Sequence, residues 1–148
     1  MRNFFRNLEL DEVEFILISG QAAVLYGAST FSEDFDLWVR PTGPNLVRLR
    51  AALARSNARI YKLTPSLTLS HARTGHGFHF TLPDEHDVAY VDIMARPPRV
   101  GSFPRSLARC ETIDTDWGEL PVVSVADLVR LKLTRRLADY DVISNLAS

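Results

Sequence analysis

Residues 14–39 read EFILISGQAAVLYGASTFSEDFDLWV, and this stretch decides the fold. Phe15-Ile16-Leu17-Ile18 is a continuous β-prone apolar run, the pattern of a buried strand. Ser19-Gly20 then turns the chain. Gln21–Tyr26 predicts a short helix closed by Gly27 just past its end. Asp34–Val39 alternates strictly, with Asp34, Asp36 and Trp38 on one side and Phe35, Leu37 and Val39 on the other. That alternation predicts a strand with one polar end on its outer face.

Working outward, residues 8–13 read as helical or irregular. Gly43-Pro44 opens a helix, since proline suits a first turn. Leu46, Leu49 and Leu53 form its apolar stripe, and Arg48, Arg55 and Arg59 share another face. Weaker strands are predicted near Ile60–Leu63, Phe78–Leu82, Val88–Met94 and Leu120–Val123. Ser124-Val125-Ala126-Asp127 resembles a capping box and starts a last helix running through Leu128, Leu131, Lys132 and Leu137. The order β-α-β-α-β-β-β-α predicts an α/β (α+β) chain, a mixed β-sheet flanked by helices in a single domain over 1–148.

Composition narrows the class. The chain has 148 residues, 17 basic and 18 acidic side chains, and a net charge of −1. With 46% hydrophobic and 24% charged residues, it is neither disordered, collagenous nor coiled-coil. No apolar run approaches the ~20 residues of a membrane span. The N-terminus lacks the apolar core of a signal peptide. A lone Cys110 suits a reducing compartment, so a cytoplasmic protein without membrane partners is expected. The charge is uneven: residues 37–83 contain no acid but carry seven Arg and Lys side chains and three histidines. Such a stretch could face phosphates or RNA, or could simply be a solvated face.

Two devices in the opening stretch carry chemistry. The Ser19-Gly20 turn leaves backbone N–H groups at a helix start, where small side chains let a phosphate approach. After thirteen intervening residues, Asp34 and Asp36 lie two apart on a strand and point the same way, so they can share divalent cations. Hard oxygen ligands favour Mg²⁺ or Mn²⁺ over zinc. Asp92 interrupts the apolar strand Val88–Met94. A buried acid there is costly unless paired or coordinating, and on a neighbouring strand it could join the pair as third ligand and proton acceptor.

These residues resemble the polymerase-beta-like nucleotidyltransferase superfamily, whose signature is a GG or GS turn, a spacer, D-x-D and a later third acid. The segments 18–27 and 30–37 look like its small bacterial branch of minimal nucleotidyltransferases and abortive-infection toxins. Lys132, Arg136, Asp139 and Asp141 are similar to the K…R…D…D helix that closes many such domains. Two positions depart: Ser19 stands where the branch usually has Gly, and Thr30 where many relatives carry Arg.

The resemblance implies Mg²⁺-dependent transfer of a nucleoside monophosphate from an NTP to a hydroxyl, releasing pyrophosphate. Asp34, Asp36 and Asp92 would be catalytic and metal-binding, with Ser19, Gly20 and Lys132 on the nucleotide. The acceptor would be RNA, a protein or a small molecule, and a cognate antitoxin is a candidate partner. The rival expectation is a catalytically degenerate binding module of the same fold, within a toxin–antitoxin pair. Other chemistry fails on pattern. His71, His76, His79 and His86 have no common zinc spacing. Ser19 lacks a nucleophile elbow, and no G-x-x-x-x-G-K loop is present.

Overall fold

A computed structural model describes residues 1–85, 87–133 and 143–147. The elements in chain order are α1 (Arg2–Leu10), β1 (Phe15–Ile18), α2 (Ser19–Leu25), β2 (Asp34–Val39), α3 (Gly43–Arg55), β3 (Arg59–Ile60) and α4 (Leu69–Arg73). They continue with β4 (Phe78–Asp84), β5 (Asp87–Met94), α5 (Phe103–Arg109), β6 (Glu111–Thr115), β7 (Gly118–Val122) and α6 (Val125–Lys132). The strands form one mixed sheet in the order β3-β4-β5-β2-β1-β7-β6. β1 runs antiparallel to β2 and parallel to β7, while β2 runs parallel to β5.

The centre of the sheet is where the sequence is most apolar. All of β1 is buried, as the unbroken run Phe15–Ile18 requires. α2 ends in a Schellman turn: Ala28 N–H reaches Ala23 O, Gly27 N–H reaches Val24 O, and Gly27 sits at φ +77°. α1 covers one face of the sheet, its Phe5 ring 5.9 Å from Phe15 and 5.8 Å from Phe35. α3 packs beside α1, and its first turn is tied down by Asn45, which is fully buried. Asn45 accepts from Glu14 N–H and donates to the carbonyls of Glu14 and Arg40, so one amide stitches the start of β1 to the end of β2. α2 lies against β1 and β2, with α6 beside it.

Several expectations change. α1 begins at Arg2 rather than near residue 8, because Phe4, Phe5 and Leu8 bury one stripe of it. β3 keeps only Arg59–Ile60. α4, α5 and β6 carry no strong periodicity: β6 is an edge strand of mostly exposed residues held by pairing to β7. At α6 the Ser124 hydroxyl caps Asp127 N–H, but the Asp127 carboxylate does not complete a capping box. It is fully buried and bonded to Arg109 and Arg130. Burial alone would raise its pKa; the hydrogen bonds, led by those from Arg109, hold it below the usual carboxylate range. Leu137, Arg136, Asp139 and Asp141 lie outside the described residues, as does His86.

Candidate active site

Strand register builds the site. Ile18 pairs with Asp36 across β1 and β2, Asp36 with Asp92 across β2 and β5, and Asp92 with His79 across β5 and β4. Residues in register share a face, and neighbouring strands lie about 4.8 Å apart. Asp36, Asp92 and His79 therefore form a row across the sheet. Asp34 sits two residues back along β2, on the same face, in register with Tyr90. The third acid thus stands beside the D-x-D pair, although 56 positions separate Asp92 from Asp36 in the chain.

The turn after β1 closes one end of the row. Ser19 takes φ +60°, the left-handed region that favours glycine. Its hydroxyl lies close enough to the Asp36 carboxylate to lower that group's pKa. Gly20 is small for a second reason: a Cβ there would lie 2.4 Å from Ser32 Oγ and 3.0 Å from Ser32 Cβ. Ser32 in turn bonds Asp34 O through its hydroxyl, and its own carbonyl accepts from Gln21 Nε2. With only two turns, α2 supplies a modest dipole, so anion binding here would rely on the N–H groups of the turn.

Electrostatics mark the row as unusual. Burial, followed by the charges of Asp92 and Asp34, pushes the Asp36 carboxyl up to about 7; the Ser19 hydroxyl and the Lys132 charge oppose this. Asp34 is also raised, by desolvation and the charges of Asp92 and Glu33, with Lys62 opposing. Lys132, in the last turn of α6, is near enough for its charge to act on Asp36. His79 Nδ1–H donates to Asp92 Oδ1 at 2.5 Å and fixes that side chain.

Among the described residues, no three ligand-type side chains are already gathered around an ion position. The donors are nonetheless all hard oxygens on one face of adjacent strands. Burial and the neighbouring carboxylate charge raise Asp34 and Asp36, the condition that a bound cation would relieve. That donor chemistry fits Mg²⁺ or Mn²⁺, and Asp34, Asp36 and Asp92 would hold it.

Tertiary structure thus brings Ser19, Gly20, Asp34, Asp36, Asp92 and Lys132 to one region. Trp38, which alternation puts on the carboxylate side, is only 1% exposed. It donates to Ala95 O and packs edge-on against Phe103, so it is a core residue. The arginine stripe Arg48, Arg55 and Arg59 does not stay together: Arg55 pairs with Asp11 just past α1, and Arg59 lies beyond α3 on β3. Sequence reading had no role for His79 beyond a discarded zinc set. Its alternate position in Phe78–Leu82, matched to Asp92, was the available signal.

No protein-family model and no curated protein sequence matches the chain. Solved structures do. JHP933 from Helicobacter pylori superposes with a TM-score of 0.59 at 18% identity, over 99% of this chain and 62% of that one. A "putative nucleotidyltransferase" from Thermotoga maritima, TM1012, gives 0.53 at 14%, over 85% and 76%. The fold is nucleotidyltransferase-like. A second "putative nucleotidyltransferase", from H. pylori, gives 0.54 at 18%, over 94% and 57%. The chain therefore spans less than two thirds of the two H. pylori proteins. At these identities the nucleotidyltransferase-like likeness concerns the fold, and the site must be argued from its own residues. No described helix is long and apolar enough to cross a membrane.

Proposed function

We propose that this chain is a Mg²⁺-dependent nucleotidyltransferase that moves a nucleoside monophosphate from an NTP to a hydroxyl acceptor. One observation carries the reading: the register Asp36↔Asp92, with Asp34 on the same face and the Ser19 turn closing the row. The acceptor oxygen bonds to the α-phosphorus, the bond from that phosphorus to the α–β bridging oxygen breaks, and pyrophosphate leaves. The acceptor proton passes to Asp92, whose Oδ1 is occupied by His79 and whose orientation is thereby set. Ser19, the Gly20 backbone and Lys132 hold the triphosphate. A divalent ion bound by Asp34, Asp36 and Asp92 would neutralise charge on the phosphates and the leaving group. The intact acids favour this reading over a degenerate binding module. An RNA or protein acceptor, and control by an antitoxin, remain proposals of the same kind.

The test is incubation of the protein with each α-labelled NTP, Mg²⁺ and mixed acceptors. Pyrophosphate release should depend on the ion and vanish in Asp36→Asn. If wild type releases none while binding NTP and metal, the degenerate module takes its place.

A further inference from the structure

An aromatic pair stands on the far side of the carboxylate row from the Ser19 turn. Tyr61, just past β3, and Tyr90, on β5, have ring centroids 5.0 Å apart at 56°. Tyr90 is in register with Asp34, and Tyr61 N–H bonds the carbonyl of His79, the neighbour of Asp92. The pair is not core: Tyr61 is 39% exposed and Leu63 beside it fully exposed. Lys62 puts its ammonium 5.4 Å from the Tyr61 ring centroid, and its charge reaches Asp34. The segment is held in an unfavourable conformation, with Lys62 at φ +61°. Thr64 fastens it, its hydroxyl donating to Tyr61 O at 2.9 Å and accepting from His79 N–H at 3.2 Å. The exposed Tyr61 ring costs solvation, and a left-handed lysine costs backbone energy, so the arrangement makes sense if something covers it.

From this geometry we infer that Tyr61, Tyr90 and Lys62 form the acceptor subsite, taking the 3′-terminal nucleotide of a single-stranded nucleic acid. A base stacks on the tyrosines and the adjoining phosphate meets Lys62. This rests on the transferase reading for direction: the triphosphate occupies the Ser19 and Lys132 side, which leaves the tyrosine side for the acceptor. The positive charge beside the rings is local: Lys62 stands over the Tyr61 ring and Arg59 is exposed on β3.

Binding of labelled single-stranded RNA to the full chain, in chelator and without NTP, tests the subsite apart from catalysis. Tyr61→Leu and Tyr90→Leu should each weaken binding roughly 5- to 150-fold, the range of one lost base stack. Tyr61→Trp should bind as well as wild type, and circular dichroism should be native in all three. Lys62→Gln should flatten the log–log salt dependence by about 0.7. An RNA lacking its 3′-terminal base should lose the same factor on wild type and nothing more on Tyr61→Leu. A DNA arm shows whether the sugar matters. Asp36→Asn should keep RNA binding while losing transfer, so failure of the transferase reading leaves a separate signature. The subsite is overturned if neither nucleic acid binds at low salt, as with a protein acceptor. It is also overturned if the leucine variants bind RNA normally, or if they weaken NTP binding instead.

Discussion

Gly20 offers the sharpest test of how packing and function share one turn. Adding a single methyl, Gly20→Ala, places a carbon 2.4 Å from Ser32 Oγ and 3.0 Å from Ser32 Cβ. Rotating the Ser32 hydroxyl relieves the first contact and breaks its bond to Asp34 O. It does not relieve the second, so the Ser32 backbone must also shift, pulling against the Gln21 side chain that holds its carbonyl. The lost hydrogen bond costs about 1 kcal/mol and the residual overlap about 1 more. At about 2–4 °C per kcal/mol for a chain of this size, the melting temperature should fall by roughly 4–8 °C. Because Ser32 precedes Asp34 by two residues, NTP-dependent stabilisation in Mg²⁺ should weaken as well. Ser32→Gly opens the space, so the double variant Gly20→Ala/Ser32→Gly should recover most of the loss relative to Ser32→Gly alone. Differential scanning fluorimetry on the four proteins measures the cycle. An unshifted Gly20→Ala, or equal losses with and without Ser32, would refute the reasoning. The same geometry predicts that Gly20→Val perturbs the fold itself and does not selectively block phosphate.

Asp36, raised in the folded protein from 3.8 to about 7, stabilises the metal-free protein fully below pH 4 and loses that contribution as pH rises through 7. The melting temperature without metal should therefore fall between about pH 4 and 7 and level off above that, and Asp36→Asn should flatten the slope. Calorimetry with Mn²⁺ at pH 6 should show release of close to one proton and about tenfold weaker binding than at pH 8. Ser19→Gly should relieve the left-handed strain without lowering thermal stability, while loss of the hydroxyl moves the midpoint of this pH dependence upward. Asp127 has the opposite sign: its pKa is depressed, so its stabilisation is present above about pH 4 and lost as pH falls below it. Replacing both Arg109 and Arg130 by Met should leave a buried carboxylate unpaired and cost about 3–5 kcal/mol, read by urea denaturation at pH 7.

Elements whose patterns are local can be read without the fold. Phe15–Ile18, the strict alternation of Asp34–Val39 and the Leu46, Leu49, Leu53 stripe each state their own burial, because period and apolar content are properties of neighbouring residues. The Ser-Gly turn and D-x-D pair were legible for the same reason. Relations between distant segments come only from the folded chain. The parallel pairing of β2 with β5 sets Asp92 beside Asp36, and the antiparallel β4 brings His79 to Asp92. Side-chain alternation names a face, not its environment: the same alternation that exposes Asp34 buries Trp38, because Phe103 of α5 covers one end of the strand and nothing described covers the other. Arg55 reads as one of a stripe, yet it pairs with Asp11 because α1, whose helical start was hidden in a short polar segment, packs alongside α3. Loop closure and strand order are paid for by the whole core at once, and no local window of sequence contains that sum.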